Sequence, residues 1–236
     1  MNIGFVGLIW QRLKFLRHVK AQHFLVGFAA VFFALSVVVH HPSLLSFDRE
    51  ITLELQQFRN LPLDYLAQFF TYLGNTATLI AVGGLGTLLF YKRGNTHAAI
   101  LAALSPTIGL LLNMLLKEII RRPRPDSNIV EVLLPTIGLS FPSGHAMAST
   151  TVYGFLAYMA WIHMKFGPTR FAAVLGLAVL PPVISLSRVY VGAHWFSDVF
   201  GGITAGLFVL LIFSILYRRW TSTPEDEAVA ATVKAV

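Results

Sequence analysis

The sequence predicts an all-α fold: an integral membrane bundle of six transmembrane helices, N- and C-termini cytoplasmic, with an amphipathic N-terminal surface helix. Three observations predict it. Of 236 residues, 56% are apolar and only 12% are charged, where a soluble domain carries about a quarter charged. Mean hydropathy is +0.68. The apolar residues also fall in runs near the ~20 residues that cross a hydrocarbon core, separated by short basic loops.

Residues 1–20 mix Ile9, Trp10, Leu13 and Leu16 with Arg12, Lys14, Arg17 and Lys20. That pattern predicts a basic amphipathic helix lying on the cytoplasmic membrane surface, not a cleaved signal peptide, since no short apolar core with a small-residue cleavage site follows. Residues 21–220 form the expected membrane domain, with spans at Ala21–Val39, Leu66–Tyr91, Ala98–Ile120, Ala146–His163, Phe171–Ser187 and Trp195–Tyr217. Pro181 and Pro182 should interrupt the fifth span, a break that neighbouring helices tolerate by satisfying the freed carbonyls. Between the first two spans, Ile51, Leu55 and Phe58 recur at helical spacing among Arg49, Glu50, Glu54 and Arg59, which predicts a short helix along the outer interface. Residues 221–236 combine Pro224, three acidic residues and many alanines, and read as a disordered cytoplasmic tail.

The net charge is +7. Because the cations sit between apolar runs, they point to membrane topology and an anionic substrate rather than to nucleic acid. With no cysteine in the chain, disulfides, thiol catalysis and cysteine metal sites are excluded. The Lys and Arg bias places the N-terminal segment, Lys92, Arg93, Lys165, Arg170, Arg218 and Arg219 inside, and a smaller set (Arg49, Arg59, Lys117, Arg121, Arg122, Arg124 and Arg188) outside. Trp10, Trp161, Trp195 and Trp220 read as interface anchors, and Asn113 as an interhelical hydrogen bond.

The outside cations cluster for a reason that topology supplies. Spans three and five end, and spans four and six begin, at the same face. Three segments therefore meet there: Lys117 to Arg124-Pro125, Pro142-Ser143-Gly144-His145, and Ser187-Arg188 to His194 and Asp198. Lys117 and Arg124, on a helix that Pro123 and Pro125 stop, suit a phosphate; a snorkelling basic cluster is the plainer alternative. Ser143-Gly144-His145 opens a helix whose free amides attract an anion, although Ser-Gly is also an ordinary cap. His194 and Asp198 are four apart and share a face if the sixth helix starts near Ala193. The carboxylate would then hold Nδ1 and aim Nε2 outward, as a nucleophile or base requires. A zinc pair is the alternative, disfavoured by the missing third ligand and the surrounding cations.

Together these segments resemble the type 2 phosphatidic acid phosphatase (PAP2) family. Lys117 through Arg124-Pro125, Pro142-Ser143-Gly144-His145 and Ser187-Arg188 through His194 and Asp198 match its three motifs at every signature position. The resemblance implies a lipid phosphatase that needs no cofactor and no metal. It implies His194 as nucleophile through a phosphohistidine, Asp198 as its orienting carboxylate and His145 as proton donor and then base. It further implies Lys117, Arg124, Ser143, Gly144 and Arg188 as the phosphate cradle. Expected substrates are undecaprenyl pyrophosphate, phosphatidylglycerol phosphate or phosphatidic acid, presented at the outer face of a bacterial inner membrane, with the site towards the periplasm. Two other functions stay open: a lipid-to-lipid phosphotransferase, which would use the same residues, and a transporter or lipid-binding protein, which would not need the His194–Asp198 pair. A vanadate peroxidase would share the pocket but not a chain built for lipid.

Overall fold

The structure, a computed structural model, describes residues 3–222, with side chains from residue 21 onward. The expected disordered tail, 221–236, lies almost wholly outside the described residues, as do the side chains on which the amphipathic reading of 1–20 rests. Eight helices make up the described residues: α1 (Ile3–Val38), α2 (Pro42–Gln56), α3 (Leu61–Leu73), α4 (Thr76–Lys92), α5 (Thr96–Ile120), α6 (Gly144–His163), α7 (Pro168–Tyr190) and α8 (Phe196–Thr221). The backbone of the N-terminal segment runs without a break into the first span as part of α1.

Length and apolarity qualify four helices to cross a membrane: α1 from Ala21, α5, α7 and α8. The expected second span is not one straight helix. It is α3 and α4, bent by 52° at Gly74–Asn75, and the bent pair makes a fifth candidate. The remaining expected span, α6, is 20 residues long but less apolar, because Ser149, Thr150, Thr151, Tyr153 and Tyr158 lie along it. Its position explains that composition: α6 is the central helix, packed most extensively on α7 and α8 and also on α5 and α4. Small and hydroxylated side chains suit close helix–helix contact inside a membrane bundle. Thr150 and Thr151 return their hydroxyl protons to carbonyls one turn back, Ala146 O at 2.7 Å and Met147 O at 3.0 Å.

α7 corrects a second expectation, for Pro181 and Pro182 lie inside an unbroken helix. α2 is the short helix the sequence predicts between the first two spans, and its C-terminal end is tied down. Gln56 donates to Glu131 O at 2.7 Å and to Tyr190 O at 3.1 Å, and Arg59 pairs with Glu131 and with Asp64. The main core lies between α4, α5, α6 and α8, around Phe90, Leu101, Met147, Phe155, Val209 and Phe213. One predicted anchor is misplaced: Trp195 is buried at 3% exposure, whereas Trp161 and Trp220 are exposed.

Candidate active site

The three segments do converge, at the end of the bundle where α5 and α7 finish and α6 and α8 begin. Each is set by a local stop or start. α5 ends because Arg121 takes the left-handed backbone conformation at φ 55°, donating to Lys117 O at 2.8 Å, and Pro123 forbids continuation. α7 ends two residues before Gly192, whose φ of 71° and 2.2 Å approach of Glu131 O to a would-be Cβ leave room only for glycine. α6 begins at Gly144 with Ser143 in the cap position, although the Ser143 hydroxyl makes no cap bond.

A cavity of about 280 Å³ opens at this convergence, and Lys117, Arg124, Gly144, His145, Arg188 and His194 all line it. Arg188 and His194 are almost fully buried, at 2% and 1% exposure. Arg124 reaches over the histidine: its Nη1 donates to Ala193 O at 2.7 Å and to His194 Nε2 at 3.1 Å, and its Nε to Gly138 O at 3.1 Å. Lys117 donates to Leu139 O. Asn113, expected to bond between helices, donates to Pro142 O in the loop before α6, at 3.0 Å.

Donor logic fixes the tautomer of His194. A guanidinium has no acceptor, so Nε2 must offer its lone pair to Arg124, and the ring proton sits on Nδ1. Nδ1 faces Asp198 Oδ2 and Ser140 Oγ, each at 3.4 Å. Those contacts are long, and the carboxylate is held more tightly by other groups: Arg122 Nη1 at 2.6 Å, Trp195 N at 2.9 Å, and Ser140 Oγ. α8 starts at Phe196 rather than near Ala193, so His194 lies before the helix and not on its first turn. The pair still meets because Asp198, third in α8, bonds back to the Trp195 amide as a helix-capping carboxylate. Burial, then the cations Arg124, Arg188 and Lys117, holds His194 well below its ordinary pKa, so the imidazole is neutral and keeps an Nε2 lone pair, which Arg124 holds in this structure.

Two buried donors beside the cavity have no partner, Ser143 Oγ and Arg188 Nε. Orphaned buried donors are rare and unfavourable. With the amides of the first turn of α6, they form a cradle that an anion would complete. Among the described residues no three His, Asp or Glu side chains converge as metal ligands would. A larger hollow of about 1070 Å³ opens at the far end of the bundle, near Arg93, His97 and Lys165, and no motif residue lines it.

Five residues of the site went unread in the sequence. Arg122, named there only as an outside cation, is buried between Asp48 Oδ2 at 2.7 Å and Asp198 Oδ1 at 2.6 Å. Ser197 donates its hydroxyl and amide to Asp48, at 2.6 and 2.8 Å. Ser140 bridges to Asp198, and Asn75 accepts from His145 Nε2 at 2.8 Å. Asp48 left a signal: it lies three before Ile51 and seven before Leu55, a charge on the apolar face of α2. Asn75 left one too, as a polar residue within an apolar run. Ser140 left none.

Comparison with known proteins agrees with this geometry. The PAP2 superfamily model matches residues 98–222. Phosphatidylglycerophosphatase B of Bacillus subtilis is 32% identical over 185 residues, covering 77% of this chain and 88% of that protein. Sphingosine-1-phosphate phosphatase 1 of Rattus norvegicus is 31% identical over 68% of this chain but only 36% of its own length. The crystal structure of a transmembrane PAP2 type phosphatidylglycerolphosphate phosphatase from Bacillus subtilis superposes with a TM-score of 0.76 at 27% identity, covering 85% of this chain and 98% of that one.

Proposed function

This chain belongs to the PAP2 superfamily and is a multi-pass membrane lipid phosphate phosphatase, and on that premise we propose that it hydrolyses a lipid phosphomonoester or pyrophosphate through a phosphohistidine on His194. The observation that carries this is the pair of orphaned donors, Ser143 Oγ and Arg188 Nε, beside a histidine whose Nε2 lone pair is exposed to a cluster of cations. His194 Nε2 attacks phosphorus, the bond to the lipid oxygen breaks, and His145 gives that oxygen a proton. Water then attacks the phosphohistidine, its proton passes to His145, and inorganic phosphate leaves. Asp198 steadies the imidazole as it gains charge. Lys117, Arg124 and Arg188, with Ser143 and the Gly144 amide, hold the phosphoryl oxygens. No metal or cofactor enters either step.

The cavity continues from these cations past Leu79, Pro106 and Leu110, so an acyl or prenyl chain keeps apolar surroundings while its phosphate sits among donors. Phosphatidylglycerol phosphate is the substrate we favour, because a similar sequence and a similar crystal structure, both from Bacillus subtilis, carry that activity in their names; undecaprenyl pyrophosphate comes second and phosphatidic acid third. In the full proposal α6 also crosses the membrane, as the fourth of six spans, residues 21–220 are the phosphatase domain, both termini are cytoplasmic, and the site faces outward.

The test is phosphate release from these three lipids by purified protein in EDTA. Release from phosphatidylglycerol phosphate should be fastest, and His194→Ala should lower it at least about a thousandfold. Phosphate appearing on a second lipid instead of in water would make the chain a phosphotransferase. Lipid binding with no turnover would make it a binding protein.

A further inference from the structure

The break in the second span has a chemical use. Asn75 is the residue before α4, in the N-cap position, where asparagine is among the best caps because its side-chain oxygen accepts from the helix amides. Here it makes no such bond. Its Oδ1 lies 2.8 Å from His145 Nε2 instead, across 70 residues of chain. The 52° bend between α3 and α4 brings it there, and Gly74 makes the approach possible: a Cβ at that position would stand 3.0 Å from His145 Cδ2 and 2.5 Å from Ile184 Cγ2.

The consequence follows from hydrogen-bond inventory. An amide oxygen only accepts, so Nε2 carries a proton that stays with Asn75. The proton that His145 exchanges with the lipid oxygen and with water must then ride on Nδ1. The other titratable groups that line the cavity with the ring are Arg188 from α7, Lys117 from α5, and Arg124 and His194 from the loops. Three of these are cations that cannot accept, which leaves Asn75 to hold the ring.

We propose that Asn75 is a positioning residue for the proton transfer: it anchors His145 through Nε2–H and presents Nδ1 to the reacting oxygen. The inference rests on the reading that His145 is the acid and base. In the first step Nδ1–H protonates the departing lipid oxygen and the ring becomes neutral; in the second, Nδ1 takes the proton of the attacking water. Nε2–H is unchanged throughout.

The experiment compares Asn75→Ser, Asn75→Asp and His145→Ala in full-length protein. Serine is a good N-cap for α4 but is too short to reach the ring. Asn75→Ser should lower kcat on the order of ten- to a hundredfold, with KM within about twofold and the melting temperature unchanged; this is part of the 10²–10⁴ that acid–base catalysis contributes. Asn75→Asp keeps the acceptor and adds a charge that favours the protonated ring, so it should retain most of kcat and move the alkaline limit of kcat to higher pH. An unchanged kcat in Asn75→Ser, a loss matched by a lower melting temperature, or an unmoved pH profile in Asn75→Asp would each overturn the role. If His145→Ala itself turns over normally, the acid–base reading fails instead, and the two failures are told apart.

Discussion

Arg122 is the largest side chain fully enclosed by the described residues, and it stands between two carboxylates. One of them, Asp198, adjoins His194, the proposed nucleophile; the other, Asp48, belongs to α2. The two partners separate structure from chemistry. Asp48→Asn leaves Arg122 attached to Asp198, so kcat should stay within about threefold while stability falls by about 3–5 kcal/mol, the usual consequence of breaking a buried ion pair. Arg122→Met removes both contacts and leaves two buried carboxylates without their shared cation. It should cost at least as much stability and lower kcat tenfold or more, because Asp198 loses its firmest partner beside His194. Equal kcat in the two variants, measured where both are folded, would reduce the network to a structural strut. The contrast shows what the sequence discloses at this scale. His194, Asp198, His145, Lys117 and Arg188 are legible because their chemistry recurs at fixed spacing. Asp48, Ser140 and Asn75 are not, because each works through a partner 58 to 149 residues away, and spacing along one helix says nothing about such pairs.

At the scale of elements, hydropathy located every long helix but misjudged two interiors. It merged α3 with α4, since Gly74 and Asn75 hardly lower the mean of a long apolar run, and it broke α7 at prolines that the helix carries without interruption. What positions the site is the seam between α6 and α8, where glycines replace side chains. A Cβ on Gly202 would lie 2.6 Å from Ser143 O and 2.8 Å from Ala146 Cβ. Backbone cannot yield as a flexible side chain does, so Gly202→Ala must part the helices at the start of α6. Overpacking of this kind costs about 1–3 kcal/mol, and the displaced residues include Ser143 and, two further on, His145. The expected outcome is a lower melting temperature together with a raised KM, as the cradle opens. Gly27→Ala is the control, because nothing lies within 4 Å of its Cβ and alanine favours helix. A Gly202→Ala enzyme with wild-type KM and melting temperature would mean that the seam absorbs the methyl group and does not set the site.

For the whole molecule, the convergence of the motifs at one end is independent of which way the bundle sits in the bilayer. The direction rests on Lys and Arg alone. The outside set holds Arg49, Arg59, Lys117, Arg121, Arg122, Arg124 and Arg188, but three of these line the site cavity, Arg122 is sealed between carboxylates and Arg59 pairs with Asp64 and Glu131. Cations held by function carry no topological message, so discounting them strengthens the bias towards a cytoplasmic far end bearing Lys92, Arg93, Lys165, Arg170, Arg218 and Arg219. In the proposed orientation the site faces the periplasm in a bacterium with two membranes, and a lipid of the outer leaflet would offer its phosphate without leaving the bilayer. Because the native chain has no cysteine, single cysteines report sidedness without background. Ser127, exposed in the loop after α5, and Lys165, exposed between α6 and α7, are suitable positions; Asn95 is less so, since it caps α5 and bonds Tyr217. On intact spheroplasts, a membrane-impermeant maleimide should label Ser127→Cys at once and Lys165→Cys only after lysis. The reverse pattern would turn the bundle over and move the substrate pool to the cytoplasmic leaflet, while the geometry around His194 stayed as described.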